Sequence, residues 1–246
     1  MNKVYFVGAG PGDPDLITLK GIKLIKEADV IIYAGSLVNK QLLVGTKAQL
    51  YDSSQMELEE IVRIMVDSSR KGKKVVRLHS GDPTIYSAIG EQIERLREER
   101  IDYEIVPGVS SVFAGSAKIG IELTLPEISQ TVILTRAKGK TIVPEKESLS
   151  QLGQHNATMV IFLSASLAEK VQEELLVSYS PHTPVAIVEK VSWPEERIIF
   201  CDLKDLAHVI KQKGIKKTTL IYVGKVLEAK TRKINKRSKL YGKKEE

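Results

Sequence analysis

The sequence predicts two α/β domains in a chain of 246 residues, the first built on a mainly parallel sheet and the second on a mixed one. Three observations lead there. Short runs rich in Val, Ile and Tyr alternate with amphipathic helical patterns through the first half, which is the rhythm of a helix-covered parallel sheet. The second half keeps the strand-like runs but has only two good helical patterns for five of them, so some of its strands must pair antiparallel. Between the halves, residues 115–126 carry Gly115, Gly120 and Pro126 and read as the hinge.

In order along the chain, strands are predicted at residues 3–8, 29–34, 74–78 and 103–106, each a short β-branched or aromatic run. A helix over 16–28 follows the first of them. A second, over 56–69, places Leu58, Ile61, Val62 and Met65 on one face, and a third, over 86–100, does the same with Ile89, Ile93 and Leu96 among charged neighbours. The second half offers strands at 131–135, 158–163, 184–189, 197–203 and 218–224, with helices at 167–177 and 203–213. The resulting organisation is a domain over 1–117, a second over 118–229 and a basic tail over 230–246.

Composition excludes several classes. With 42% hydrophobic residues the chain can bury a sizeable core. Its longest apolar stretches, such as 30–34 and 159–163, are far short of the roughly 20 residues needed to span a bilayer, and its first residues enter a strand rather than a signal peptide. A soluble, cytoplasmic protein is the expectation. Cys201 is the lone cysteine, and no Cys or His cluster stands at metal-ligand spacing, so neither a disulfide nor a protein-bound metal is expected. The net charge of +6 resides wholly in the tail, which holds eight basic and two acidic residues, while residues 1–229 are neutral. A solvated tail accounts for it, with a nucleic-acid contact by the tail, as in an RNA- or protein-modifying enzyme tethered through it, as the alternative.

The chemistry concentrates in three glycine turns. Gly8-Ala9-Gly10-Pro11-Gly12-Asp13-Pro14 follows the first strand. It fails the dinucleotide fingerprint, whose third glycine would fall on Asp13, and Pro11 and Pro14 remove donors that a phosphate cradle would use. A nicotinamide-dependent oxidoreductase is therefore the weaker alternative, and no Walker motif is present. His79-Ser80-Gly81-Asp82-Pro83 and Pro107-Gly108-Val109-Ser110-Ser111 each follow a later strand. Turns at the ends of three strands of one sheet converge on one edge, where open α/β sheets bind ligands.

This set of turns resembles the tetrapyrrole methylase family, which uses S-adenosylmethionine on porphyrinoid and, more rarely, on protein or RNA substrates. The resemblance covers nearly the whole chain up to about Lys230. Two further segments, Tyr33-Ala34-Gly35-Ser36-Leu37-Val38 and Ser129-Gln130-Thr131 with Thr135-Arg136, Gly139 and Pro144-Glu145, resemble the branch that methylates C11 of precorrin-4 or its cobalt complex on the way to cobalamin. The uroporphyrinogen-III methylases typically have Asp and Arg after the tyrosine, and neither follows Tyr33 here.

The resemblance implies S-adenosylmethionine as methyl donor, held in a cleft between the two domains, with S-adenosylhomocysteine as product. It places cofactor contacts on Pro11, Ser80, Gly81, Asp82, Ile85, Ser110 and Ser111, and on Leu163, Val191 and Thr219 of the second half. The methyl acceptor, a corrinoid, would face Gly10, Gly12, Asp13, Tyr33, Gly35, Ser36 and Arg136. A homodimer is implied by the same route. No catalytic residue is nominated, because transfer from an already activated sulfonium is mainly a matter of positioning. Several roles stay open: Asp82 as a cofactor partner or a turn residue, Arg136 as a grip on a substrate carboxylate or a surface residue, and His79 and Trp193 as ligand contacts or packing. Whether the acceptor carries cobalt also stays open.

Overall fold

The computed structural model describes residues 3–230; the basic tail beyond Lys230 lies outside them. The chain divides into two compact units between Ser111 and Val112. In the first, strands β1 (Val4–Gly8), β2 (Val30–Tyr33), β3 (Gln49–Asp52), β4 (Val75–His79) and β5 (Tyr103–Val106) form one sheet in the order β3-β2-β4-β1-β5. Every pairing in it is parallel.

Both faces of this sheet are covered, which is why its strands are apolar almost throughout. One face packs Val7, Ile31, Val76 and Leu78 against Leu24 and Ile25 of α1 (Leu19–Glu27). The other packs Val4, Phe6, Val30, Ile32 and Val75 against α2 (Leu58–Arg70) and α3 (Ile89–Glu98), through Ile61, Met65, Ile93 and Leu96. The chain leaves β1 toward β2 over the first face, whereas it leaves β4 toward β5 over the second. The adjacent strands β1 and β4 thus mark the point where the winding reverses, and their loops part to opposite sides there.

The second unit holds α4 (Ser111–Ile119), α5 (Leu149–Gly153), α6 (Ala168–Leu176) and α7 (Leu206–Gln212), the first of which begins at the last residue before the division. Its sheet runs β6-β7-β10-β8-β9, from β6 (Val132–Arg136), β7 (Thr158–Phe162), β8 (Pro184–Glu189), β9 (Arg197–Asp202) and β10 (Thr219–Val223). Only β6 and β7 pair in parallel, so the sheet is mixed as expected. One face buries Met159, Ile161, Val185, Ile187 and Ile221 against α5, α6 and α7. On β10, Tyr222 is fully buried and donates its hydroxyl to the Val112 carbonyl at 2.8 Å. Burial pushes that hydroxyl's pKa well above the ordinary value.

The structure departs from the sequence reading in the connections. Gly115, expected in a hinge, lies inside α4, and the boundary placed at residue 117 falls in the same helix. Gly115 is there because Tyr222 needs the space: a Cβ at residue 115 would stand 2.1 Å from the tyrosine hydroxyl. Strand β3 was not expected either, since Gln-Leu-Tyr-Asp is mostly exposed and carries no apolar alternation.

Candidate active site

The carboxyl ends of the five parallel strands all open on one edge of the first unit, and the three glycine turns meet on it. The loops after β1 and β4 pair through their backbones: Gly81 donates its N–H to the Gly10 carbonyl at 2.7 Å, and Gly10 returns the bond at 3.3 Å. Gly10 and Gly81 both have positive φ, 77° and 62°, which glycine adopts without cost. The turn after β5 closes in as well. A Cβ on Gly108 would lie 2.2 Å from the Gly81 carbonyl oxygen and 2.8 Å from the Gly8 Cα, so these three backbones stack where no side chain fits. A Cβ on Gly81 would instead meet only Ser110 and Ser111 backbone atoms, in ordinary contact at 3.8 Å. Gly81 and Gly108 are half-buried there, and backbone brought this close by glycine suits a ligand held by main-chain amides and carbonyls.

Asp82 ties two of these turns together. One carboxylate oxygen accepts from the Thr84 N–H at 2.8 Å and from the Thr84 hydroxyl, and the other accepts from the Gly108 N–H at 2.9 Å. Partial burial works to raise its pKa, but the three hydrogen bonds outweigh it and hold the carboxyl below the usual range. Asp82 is therefore ionised at neutral pH and braces the turn from within.

Beneath the turn, Arg77 and His79 project from β4 into the face covered by α3. Arg77 is 5% exposed and donates to the Gln92 side-chain oxygen at 3.2 Å and the Ile32 carbonyl at 3.3 Å. His79 is 4% exposed, and its Nε2 is the one fully buried side-chain nitrogen or oxygen without a hydrogen-bond partner among the described residues. Burial, reinforced by the Arg77 charge, pushes its pKa down to about 3, so the ring is neutral under any physiological condition. This partnerless atom lies one residue before Ser80, on the helix-covered face of β4 with its ring near Phe6.

The loops after β1, β2 and β3 occupy the rest of the edge. Asn39 donates through Nδ2 to the Gly12 carbonyl at 2.8 Å, and the Ser53 hydroxyl donates to the Tyr33 carbonyl at 3.0 Å. Gly35, with φ 52°, presses on the third loop so closely that a Cβ would lie 2.8 Å from the Ser54 Cβ and 3.1 Å from an Asp52 carboxylate oxygen.

In the second unit, the carboxyl ends of β6, β7 and β8 and the start of β10 share one edge. Arg136, Leu163, Val191 and Thr219 all fall on it. Four non-glycine residues there hold left-handed backbones: Leu163 (φ 53°), Lys190 (47°), Ser192 (63°) and Thr218 (54°). Each such residue costs of the order of 1–3 kcal/mol, and strain of this kind gathers at functional sites. Leu163 is 69% exposed, so it stores strain without burying its side chain. Arg136 gives one guanidinium nitrogen to the Ile142 carbonyl at 3.1 Å.

The sequence-nominated residues thus assemble on two edges. Gly10, Pro11, Gly12, Asp13, Tyr33, Gly35, Ser36, Ser80, Gly81, Asp82, Ile85, Ser110 and Ser111 lie in the carboxyl-edge loops of the first sheet, and Arg136, Leu163, Val191 and Thr219 on the edge of the second. Sequence reasoning missed Gly8 and Gly108 as the packed centre of the turns, and it missed Asn39, Asp52 and Ser53 as the bracing of the loops. Among the described residues no group of three or more His, Cys, Asp or Glu side chains could hold a metal ion, and no helix is long and apolar enough to cross a membrane.

Glycine turns stacked at the switch point of a parallel sheet, with a mixed-sheet second unit, define a two-unit α/β protein whose ligand site lies on the carboxyl edge of the first sheet. The family model for tetrapyrrole (corrin/porphyrin) methylases matches residues 3–207, and the chain belongs to that family. It is 58% identical to the cobalt-precorrin-4 C(11)-methyltransferase of Methanocaldococcus jannaschii over 231 residues, 93% of this chain and 89% of that protein. The X-ray structure of a cobalt precorrin-4 methyltransferase superposes with a TM-score of 0.89 at 49% identity, covering 92% of this chain and 95% of the other. The uroporphyrin-III C-methyl transferase of Thermus thermophilus in complex with S-adenosylhomocysteine is more distant, with a TM-score of 0.79 at 30% identity over 93% of this chain and all of that one. The chain is a methyltransferase.

Proposed function

We propose that this methyltransferase transfers a methyl group from S-adenosylmethionine to C11 of a precorrin-4-stage macrocycle in cobalamin synthesis, with the cobalt complex as the acceptor. The observation that carries the reading is the meeting of the Gly10, Gly81 and Gly108 turns on one edge of the parallel sheet. The likeness to cobalt-precorrin-4 enzymes at 58% and 49% identity supports the choice of acceptor.

The sulfonium supplies a methyl already activated by positive charge, so the protein's task is placement. Pro11, Ser80, Gly81, Ile85, Ser110 and Ser111 are the proposed cofactor contacts of the first unit, presenting backbone amides and carbonyls at close range. Asp82 holds that turn in shape and remains a candidate for contact with a cofactor amine or hydroxyl. Leu163, Val191 and Thr219 are proposed contacts of the second unit on the strength of their shared, strained edge. Gly10, Gly12, Asp13, Tyr33, Gly35 and Ser36 form the proposed wall for the macrocycle, and Arg136 a proposed grip on one of its carboxylates. Alignment of an acceptor carbon with the methyl in a near-attack geometry can supply up to about 7–11 kcal/mol of the barrier.

The test is incubation with S-adenosylmethionine and cobalt-precorrin-4 or its metal-free counterpart, followed by mass and carbon NMR analysis of the product. The reading expects one added methyl at C11, with faster turnover of the cobalt complex. Methylation at another carbon, or none on either acceptor, overturns it. Homodimerisation and a cytoplasmic location are proposed alongside, the first measurable by light scattering and the second by fractionation.

A further inference from the structure

The loops on the carboxyl edge of the first sheet fall into two bonded sets that share one member. The loop after β1 is joined to the turns after β4 and β5 through backbone, by the reciprocal Gly10 and Gly81 bonds and the stacked Gly8 and Gly108, with Asp82 bridging onward to the Gly108 N–H. On its other flank the same loop is joined to the turn after β2 by a side chain. Asn39 donates through Nδ2 to the Gly12 carbonyl at 2.8 Å while its Oδ1 accepts the Gln41 N–H at 3.0 Å. The turn after β2 is braced in its turn by Ser53, which donates to the Tyr33 carbonyl. Within the first unit, the turns after β4 and β5 carry proposed methyl-donor contacts, the turn after β2 carries proposed acceptor contacts, and the shared loop after β1 carries both, Pro11 for the donor and Gly10, Gly12 and Asp13 for the acceptor.

We infer that Asn39 is a positioning residue which holds residues 10–13 in register with residues 33–36, and so fixes where the acceptor carbon sits without contributing to methyl-donor affinity. The inference rests on the acceptor reading proposed above. Its physical basis is the double use of one amide. The carbonyl oxygen is spent on capping the turn that begins at Lys40, so the side chain is anchored to its own loop. The NH₂ group is then aimed at Gly12 in fixed geometry. Serine is too short to span both partners, and aspartate can cap but has nothing to donate to a carbonyl. Loss of the Gly12 bond frees the acceptor wall to move, while the reciprocal bonds at Gly10 keep the cofactor turns in place.

The test compares wild type with Asn39→Asp and Asn39→Ser, both of which retain an oxygen for the Gln41 cap. Each is measured for S-adenosylhomocysteine affinity by calorimetry, for thermal stability, and for kcat and KM on cobalt-precorrin-4. The inference expects S-adenosylhomocysteine affinity within about twofold of wild type and a fall in kcat/KM for the acceptor of between about tenfold and a hundredfold, the usual penalty of misplacement approaching 1 Å. Asn39→Asp carries a second signature. Once protonated, its carboxyl can donate to the Gly12 carbonyl while still accepting from Gln41, so its activity relative to wild type should recover as pH falls. Acceptor turnover within twofold of wild type in both variants overturns the inference, as does a parallel loss of methyl-donor and acceptor binding, which marks a merely structural residue. If Asn39→Asp fails to fold, the uncharged Asn39→Ser decides on the affinity and turnover criteria alone. Wild-type protein that does not methylate the acceptor at C11 refutes the proposed function instead, so the two failures are distinct.

Discussion

Gly108→Ala is the sharpest probe of the stacked turns, because the conflict it creates is purely steric. Gly108 has no positive φ, so alanine suits its backbone. The new Cβ, however, would stand 2.2 Å from the Gly81 carbonyl oxygen and 2.8 Å from the Gly8 Cα. An ordinary carbon–oxygen contact is about 3.3 Å, so one turn must move by about 1 Å, and backbone on both sides leaves no flexible side chain to absorb it. Overpacking of this kind costs typically about 1–3 kcal/mol, and the rigid surroundings place it near the top of that range. A displacement of about 1 Å at a positioning site costs about a hundredfold in binding or rate. Denaturant unfolding and calorimetric titration with S-adenosylhomocysteine measure both effects. Two controls fix the interpretation. Gly90→Ala, in α3 with nothing within 4 Å of the new Cβ, should leave affinity unchanged and stabilise by about 0.5–1 kcal/mol. Gly81→Ala has room in the fold, with its nearest atoms at 3.8 Å, so its stability should fall only by the left-handed penalty of about 1–2 kcal/mol, while its Cβ at a proposed cofactor contact should lower affinity. If Gly108→Ala keeps wild-type stability and cofactor affinity within threefold, the turns do not form the binding element.

The remaining predictions concern strain, packing and pH. Leu163→Gly relieves a left-handed leucine whose side chain is already 69% exposed, so the variant should be at least as stable as wild type while its cofactor affinity falls; loss of stability without loss of affinity would deny the edge a binding role. Gly115→Ala drives a Cβ to 2.1 Å from the Tyr222 hydroxyl and should destabilise by about 2 kcal/mol net, since overpacking and the lost hydrogen bond outweigh the gain in helix propensity. Tyr222→Phe should recover part of that loss, and strict additivity in the double variant would sink the explanation. His79 gives a pH dependence of defined sign. Its folded pKa of about 3 lies below the ordinary 6.5, so from pH 6.5 downward the unfolded chain takes up a proton that the folded chain refuses, and stability is lost as pH falls. At pH 5 the loss is about 2 kcal/mol, from 1.5 pH units at 1.36 kcal/mol each. In His79→Leu the unfolding free energy should be flatter by that amount between pH 6.5 and 5, and an unaltered slope would show that another group is responsible.

The inner strands of both sheets, such as β1, β2, β7, β8 and β10, are legible because burial demands continuous apolar runs, while the part-exposed β5 and β9 are legible from their β-branched and aromatic content. Residues 184–189 and 103–106 match β8 and β5 residue for residue. The elements that escaped lack that pressure. Strand β3 is a mostly exposed edge, held by its register with β2 and by Tyr51 packed against the core. Helix α4 is built from small residues that mimic a linker, and its glycine answers to a tyrosine more than a hundred positions away in the chain.

The same division runs through the candidate site. Glycine and proline announce a turn locally, and three turns after three parallel strands must share an edge, so the sequence alone groups Pro11, Gly81 and Ser110. The bond that couples the acceptor loops joins Asn39 to Gly12 across 27 positions, and asparagine three residues before a leucine pair looks like any helix cap. Nor does a sequence reveal that Leu163 is left-handed or that His79 has a partnerless nitrogen, since both states are imposed by the surrounding fold against the residue's own preference. What local chemistry dictates was readable, and what tertiary structure forces upon a residue was not. The strained and orphaned features carry a stability cost, which makes them the ones that function has to account for.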